Sequence, residues 1–301
     1  MYISTLLINV GDNPDRPRPG RLWLRNLYHV HQRLCMAFPT PARKEPDPDF
    51  LAPYDPGDFA NGHVHVTRGE DSGFLFRIDP VVVAVSDRRR RSEIDATARV
   101  MIIVQSAAPP DWDYAFGLKE GLVDERGRPI GNAGYLLAAP PQVNPHFDPR
   151  FTAGERLRFR LLANPTRRFY SRDSVERDSE PVREKWIGKR VPVPHEQLLD
   201  WLVEWQFRQD GREEPSGFSI DKDRTTVQAG YVYFKKPIER RESDTGDETD
   251  ENRRAAGRRL FAVRYQGILE VTDSDKFRST LMRGVGPGKA FGFGLLSVAP
   301  V

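Results

Sequence analysis

Two ring side chains in one short stretch have the types and the spacing for acid-base chemistry. Tyr28 and His31 lie three residues apart within NLYHVHQRLCMAFP, residues 26–39, and a helix would place them on the same flank. Histidine, with an unperturbed pKa of about 6.5, takes and gives protons near neutral pH, and a tyrosine hydroxyl beside it can orient a reacting hydroxyl or bind a phosphate oxygen. Such a pair is also typical of ordinary packing at the edge of a helix face. By itself it therefore indicates only a candidate site.

Helix geometry separates His31 from the neighbouring His29. At about 100° per residue, the face that must pack on a sheet comprises Leu27, Val30, Leu34 and Phe38. Tyr28, His31 and Cys35 fall on the border of that face. His29 and Arg33 point to the opposite side, where we expect solvent. Of the two histidines, His31 therefore has the defined orientation that proton transfer needs.

A glycine-rich run close to the C-terminus has the composition of an anion site. Residues 283–300, RGVGPGKAFGFGLLSVAP, place five glycines and a lysine before a terminal apolar run. Glycines let backbone N–H groups approach a phosphate closely, and lysine adds positive charge. The spacing fits neither a P-loop, which needs Ser or Thr where Ala290 stands, nor a Rossmann fingerprint, which needs a helix to follow. The candidate phosphate contacts are Gly286, Gly288, Lys289 and Gly292; a glycine-bearing turn that feeds an edge strand is the alternative.

The charge of the chain is segregated. The formal net charge is +3, but residues 45–58 and 242–251 together hold eleven acids and no bases, so the remainder carries +14. Acid-rich segments of this kind are typical of solvated loops, and a basic remainder favours a polyanionic partner such as nucleic acid. The candidate RNA contacts are Arg156, Arg158 and Arg160, which alternate along one predicted strand face, followed by Arg167 and Arg168.

The helices and strands predicted to position these residues indicate an α+β fold. A strand at 2–10, a helix from Asn26 to Pro39, and strands at 74–79, 99–106 and 156–163 give an order close to β-α-β-β-(α)-β. This is the ferredoxin-like (RRM-like) arrangement, and the strand at 156–163 is expected to close it. A second unit of the same kind is predicted from a helix at 195–209, strands at 225–236, 259–273 and 292–300, and a short helix at 277–284.

The sequence therefore predicts two tandem ferredoxin-like domains with a glycine-rich loop near the C-terminus. We expect a first domain over 1–165 that carries the Tyr/His pair, a basic linker over 166–190, and a second domain over 191–301 with the glycine-rich loop. No run approaches the roughly 20 apolar residues of a membrane span, no targeting leader is evident, and one cysteine, Cys35, forms no disulfide within the chain. We expect a cytoplasmic protein without a membrane partner.

Together these motifs resemble the CasE family, the repeat-processing endoribonucleases of type I-E CRISPR systems, within the wider group of glycine-loop, ferredoxin-like CRISPR proteins. The resemblance spans the chain and is carried by MYISTLLI, residues 26–39, FLFRID (74–79), VQSAAPPDW (104–112), RLRFRLLANPTRR (156–168), GKRVPV (188–193) and the glycine run. It implies cleavage at the base of the repeat stem-loop without metal or cofactor, leaving a 2′,3′-cyclic phosphate. It further implies retention on the CRISPR RNA beside the other subunits of the Cascade complex.

Individual residues match the family's motifs. Tyr28 and His31 match its active-site tyrosine and histidine, Lys189 and Arg190 match a basic segment that grips RNA, and Lys289 lies in its signature loop. Some relatives have a basic residue five positions after the histidine, where this chain has Met36.

Three questions therefore stay open at the level of sequence. The first is whether His31 acts as base or acid. The second is whether Lys289 or an arginine supplies the missing charge. The third is whether the chain has instead become a non-cleaving RNA-binding subunit or, as the weaker alternative, a nucleotide-dependent enzyme. The roles of the insertions at 80–97 and 237–257 are not inherited.

Overall fold

The computed structural model describes residues 1–11, 19–38, 73–79, 100–117, 133–168, 190–205, 216–234 and 258–301. The helices are α1 (Pro19–Leu24), α2 (Leu27–Cys35), α3 (Trp112–Phe116), α4 (Leu198–Trp205) and α5 (Ser274–Arg283). The strands are β1 (Tyr2–Leu7), β2 (Phe74–Asp79), β3 (Met101–Ser106), β4 (Gln142–Asn144), β5 (Arg156–Ala163), β6 (Thr166–Arg168), β7 (Arg190–Pro192), β8 (Phe218–Ile220), β9 (Thr226–Phe234), β10 (Arg258–Val271) and β11 (Leu296–Pro300). No helix within these ranges has the length and apolar character of a membrane span.

The first half of the chain forms a four-stranded antiparallel sheet in the order β2-β3-β1-β4. Alternate strand residues point to opposite faces, and one face packs against α1, α2 and α3. The core between them contains Leu6, Leu24, Val30, Leu34, Phe76, Ile102, Val104, Trp112 and Phe116. The indole N–H of Trp112 donates to the buried Ser4 hydroxyl at 3.0 Å, so the polar atom of this large side chain is satisfied within the core.

The second half forms a larger antiparallel sheet in the order β11-β5-β10-β8, with β9 also paired to β10. Its covered face packs against α4 and α5. The core there contains Leu157, Leu161, Leu198, Leu202, Tyr265, Phe277 and Leu281. The Tyr265 hydroxyl donates to the Leu198 carbonyl at 2.9 Å, and burial raises the pKa of this tyrosine well above its ordinary value.

The mixed α/β character and the antiparallel sheets are confirmed, but one strand was assigned to the wrong sheet. Arg156–Ala163, expected to close the first sheet, pairs with β10 and β11 in the second. Alternation identifies a half-buried strand, but it does not say which core the strand covers. The strand that does close the first sheet, β4, exposes all three of its residues, so it carries no hydrophobic pattern to detect.

Two element boundaries also differ from expectation. The segment 166–190, predicted as a linker, begins and ends in strands that pair, with Arg168 opposite Arg190. The terminal strand predicted from residue 292 begins only at Leu296, because Gly292 and Gly294 have φ values of 82° and 90°. Those angles belong to turns, not to extended chain.

A buried arginine joins the two sheets. Arg77 of β2 is 2% exposed, and its guanidinium donates to Asp79 Oδ2 at 2.7 Å and to Ser297 Oγ at 2.9 Å. The same group reaches the carbonyl oxygens of Leu295 at 3.3 Å and Arg160 at 3.4 Å. A buried guanidinium needs acceptors for its fixed donors. These contacts therefore set how the first sheet docks on the β11-β5 edge of the second.

Replacing Arg77 by Ala should lower the free energy of unfolding by about 3 kcal/mol or more, because it leaves Asp79 without its buried partner. Replacing both partners, as in Arg77→Met with Asp79→Leu, should cost clearly less, since no unpaired charge then remains. Urea denaturation of the three proteins measures the difference. Equal losses in the single and double variants would contradict a charge-pairing role.

Candidate active site

The N-terminus of α2 is fixed by a side-chain cap. Asn26 has extended backbone angles, and its side-chain oxygen accepts a hydrogen bond from the Tyr28 backbone N–H at 3.2 Å. This satisfies one of the donors that a helix start leaves open. Helix α2 then runs from Leu27 to Cys35, so that Tyr28 and His31 lie about one turn apart, as predicted.

The His31 ring lies inside the protein. It is 2% exposed and stacks against two aromatic rings of β2, with centroid distances of 5.8 Å to Phe74 and 6.4 Å to Phe76. Cys35, one turn further along α2, brings its Sγ to 3.5 Å from His31 Nε2. The imidazole was expected at the rim of the packed face, but the two phenylalanines cover it more completely than helix geometry alone indicates.

Tyr28 is also buried, at 6% exposure, by contact with the second half of the fold. It clusters with Leu27 and Phe234, and partly buried neighbours pack around this group. Those neighbours are Ile78, Val232, Leu260 and Phe291. Because Val232, Phe234 and Leu260 come from β9 and β10, the tyrosine lies where α2 meets the second sheet.

The two polar residues expected on the solvated side of α2 differ from each other. His29 is exposed, as predicted. Arg33 is not solvated as predicted: its guanidinium donates to the Ala115 carbonyl at 3.0 Å and contacts Met36 Sδ at 3.6 Å. Helix α3 packs beside α2 and offers a C-terminal carbonyl there, and burial lowers the pKa of Arg33. Arg33 is thus removed from solvent by a helix that is distant in sequence.

The glycine run packs against both α2 and β2. Its 3-10 turn, Lys289–Phe291, lies against α2. A Cβ on Gly292 would come within 3.2 Å of the Phe76 ring, and one on Gly284 within 2.7 Å of Leu75. With φ values of 82° and 74°, both positions favour glycine in backbone conformation and in space. The Phe76 ring thus lies between His31 and the glycine run.

Several N–H groups of the run are used by the protein itself. Val285 N–H donates to the Gly294 carbonyl at 2.9 Å, and Gly294 N–H to the Leu162 carbonyl at 2.8 Å. Gly292 N–H bonds the Lys289 carbonyl at 3.2 Å. These bonds hold the run on the second sheet and give its glycines a packing role.

The predicted arginine row lies on the face of the second sheet opposite to α4 and α5. Arg156, Arg158 and Arg160 are all exposed. Arg156 pairs with Asp221 at 3.4 Å, and Arg158 Nε donates to the Pro300 carbonyl at 3.0 Å. Each of these contacts uses one nitrogen of its guanidinium group, and the other N–H donors stay available. The row therefore remains a positively charged surface.

A second basic group lies on the β6-β7 hairpin. Arg167 Nη1 contacts Gln197 Oε1 at 3.3 Å, and Arg190 is exposed. Backbone pairing puts Arg168 opposite Arg190. Lys189 lies outside the described residues. The hairpin and the arginine row are thus two separate basic surfaces.

Sequence reasoning missed Arg77, Asp79 and Arg264. The first two interrupt the apolar strand FLFRID, and Arg264 lies in the middle of β10. A charged residue inside a strand whose neighbours are apolar indicates either an edge or a buried polar contact. The sequence contains these charged residues, but it does not show which residues they contact.

The sequence model of one protein family, described as CRISPR associated protein, matches residues 1–300. The CRISPR-associated endoribonuclease Cse3 of Thermus thermophilus is 35% identical over 206 residues, which cover 66% of this chain and 73% of that protein.

Two solved structures share the fold. Thermus thermophilus Cse3 bound to an RNA representing a pre-cleavage complex superposes with a TM-score of 0.54 at 24% identity, covering 99% of this chain and 98% of that one. CRISPR endoribonuclease Cse3 bound to a 19-nucleotide RNA gives 0.53 at 23% identity, covering 99% of both chains.

Gly292→Ala should destabilise the protein by about 2 kcal/mol or more, because it adds a contact with Phe76 to the strain of a left-handed conformation. Gly154→Ala is the matched control, since Gly154 has φ +85° and no atom within 4 Å of an added Cβ. The control should lose only about 1 kcal/mol. Chemical denaturation of both variants tests this, and equal losses would argue against tight packing of the run on β2.

Proposed function

The chain belongs to the family of CRISPR-associated proteins, and on that premise we propose that it is a metal-independent endoribonuclease that cleaves CRISPR precursor RNA at the base of the repeat stem-loop. The observation that carries this proposal is a Tyr/His pair on α2, docked against a glycine-rich turn that bears Lys289, in a chain 35% identical to a CRISPR-associated endoribonuclease. The product RNA stays bound, and the protein acts as a subunit of Cascade.

The finer fold proposal is that each half is a ferredoxin-like unit. In chain order the first sheet has its first strand beside its third and its last. The second sheet repeats this pattern with β5 beside β10 and β11, when the additional short strand β8 is left out of the count. Helices follow the first and third strands in both halves, as that arrangement requires. We place the division between β4 and β5, ahead of the boundary at 165 that the sequence indicated.

The chemistry needs two proton transfers and stabilisation of charge on phosphorus. A ribose 2′-hydroxyl attacks the adjacent phosphorus, the 5′-oxygen of the next nucleotide leaves, and a 2′,3′-cyclic phosphate forms. His31 transfers a proton at one of these oxygens, and the Tyr28 hydroxyl orients the 2′-hydroxyl or a phosphate oxygen. Which proton His31 moves is decided by the RNA geometry.

Burial of His31 adds a step to this mechanism. An imidazole that is 2% exposed does not touch RNA in the resting arrangement, so binding must uncover it. Of the two phenylalanines stacked on it, Phe74 is the partly buried one, and it begins a strand. Movement of the Phe74 side chain is therefore the shortest route by which RNA reaches His31.

The charge that some relatives place five residues after the histidine is supplied by Lys289 in this proposal. Met36 is 7% exposed and belongs to the first core, so that position offers packing and no charge. Lys289 lies on the turn that packs against α2, and its ammonium group stabilises the developing phosphorane oxygens.

RNA binding rests on the basic surfaces of the chain. The proposed contacts are Arg156, Arg158, Arg160, Arg167, Arg168, Lys189, Arg190, Gly286, Gly288, Lys289 and Gly292. Since phosphate contacts release counterions, affinity for the repeat hairpin falls steeply with salt. A stem is recognised by its A-form shape, with a few bases read at its foot.

His31→Ala should reduce cleavage of the repeat hairpin in EDTA by at least about 100-fold, because a proton-transfer group is lost. Hairpin affinity should stay within about twofold, since the basic surfaces that bind phosphate are unchanged. His29→Ala is the matched control, an exposed histidine two residues away, and should cleave normally. Single-turnover cleavage, with mapping of the cyclic phosphate end, measures the effect, and His31→Gln checks against unfolding. Normal cleavage by both His31 variants would remove His31 from the mechanism.

Lys289→Gln should lower the single-turnover rate by about 100-fold if its charge stabilises the transition state. Lys276→Gln, an exposed lysine that pairs with Asp273 on α5, is the control for loss of general positive charge. A Lys289 variant that loses affinity but not rate at saturating RNA would reassign the residue to binding. If wild-type protein binds the hairpin but leaves it intact, the non-cleaving RNA-binding alternative holds.

A further inference from the structure

Three guanidinium groups and one carboxylate meet where β2 of the first sheet approaches β5 and β10 of the second. Asp79 lies 2.7 Å from Arg77 Nη2 and 3.9 Å from Arg160 Nη1. On β10, Gln266 is paired with Arg160, and Arg264 is one pair further along the same face. We name this group, Arg77, Asp79, Arg160 and Arg264, the cleft cluster.

The cleft cluster has more positive charge than its own acid can balance. Three guanidiniums, which are always protonated, face one carboxylate. Burial, together with the positive charges of Arg160 and Arg77, lowers the pKa of Arg264, and Asp79 opposes that effect. The buried Arg264 Nε has no hydrogen-bond partner in the described part of the chain. A buried charged donor without an acceptor lowers the stability of the folded protein. A bound anion would supply the missing acceptor.

A cavity of about 500 Å³ opens beside the cluster. Its polar lining includes Arg77, Arg158, Arg160, Gln266 and Ser297. This volume is in the range of small-ligand sites and far below what a nucleic acid duplex occupies. A cavity of this size that is lined by three arginines accommodates a small anionic group, such as one phosphate with its sugar.

The cavity lies away from the proposed catalytic centre. Phe76 and Arg77 are neighbours in β2 and point to opposite faces of the first sheet. Phe76 stacks on His31, whereas Arg77 reaches Ser297 on the second sheet. The His31 ring and the cavity therefore lie against opposite faces of β2, so a nucleotide in this cavity is not the one that reacts at His31.

We propose that the cleft cluster binds a backbone phosphate of the single-stranded RNA that flanks the repeat hairpin. This inference rests on the proposed function, because it takes the ligand to be the continuation of the substrate. A phosphate offers several oxygens to the forked donors of Arg160 and Arg264, and Gln266 and Ser297 are placed for the adjoining sugar or base. An acidic protein segment is the competing ligand, and a carboxylate peptide distinguishes it from RNA in the binding test.

The test compares a minimal repeat hairpin with the same hairpin extended by a single-stranded flank on its 5′ or 3′ side. Wild-type protein should bind one extended RNA about tenfold more tightly than the hairpin, as a charge-assisted contact provides. Arg264→Gln and Arg160→Gln should remove that gain and reduce the salt slope by about 0.7 for a single-strand phosphate. Arg278→Gln, an exposed arginine that pairs with Asp148 on the surface, should retain both.

The cleavage rate of the minimal hairpin should be the same in wild-type protein and in Arg264→Gln, since this RNA lacks the flank that Arg264 is proposed to bind. Extended RNAs that bind no more tightly than the hairpin, or variants that keep the full gain, would overturn the proposal. So would a poly-glutamate peptide that binds the wild type through Arg264 when flanking RNA does not. If the wild type gains affinity from the flank through Arg264 but cleaves no hairpin, the cleft site stands and the proposed endoribonuclease function fails.

Discussion

The guanidinium of Arg77 is the contact on which the arrangement of the two halves depends. It comes from the first sheet and finds its acceptors on Asp79, on Ser297 and on carbonyl oxygens of the second sheet. A buried charge tolerates little displacement, because each lost acceptor leaves a donor unsatisfied in a medium of low dielectric constant. Apolar packing alone would allow the sheets to slide, whereas this group specifies one register between β2 and β11.

That register determines what surrounds α2. With β2 held against the second sheet, the glycine run packs on Leu75 and Phe76, and Tyr28 meets Phe234. His31 is then enclosed by Phe74 and Phe76. The same packing that orients the imidazole also shields it, so a reaction there requires a local rearrangement when RNA binds. Precise orientation and restricted access arise from one set of contacts.

The positive charge of the chain is distributed over more than one surface. The β6-β7 hairpin carries Arg167 and Arg190, and the face of the second sheet opposite to α4 and α5 carries Arg156, Arg158 and Arg160. Within the described residues, Asp221 pairs with Arg156 and Asp79 lies 3.9 Å from Arg160. An extended polyanion that leaves the proposed catalytic centre can meet these further arginines, which a small anionic substrate would not require.

The sequence by itself determined the local features. Helix α2 with its cap at Asn26, the strands from β1 to β3 and from β9 to β10, and the turn-forming glycines follow from periodicity, capping and backbone preference, all of which act over a few residues. The Tyr28/His31 spacing is of this kind. Only the tertiary structure decided that β5 belongs to the second sheet, that Arg33 is held by α3, and that Arg77 joins the two halves. Those outcomes depend on which apolar face or buried charge finds its partner some 80 to 220 residues away, and no local pattern encodes the identity of that partner.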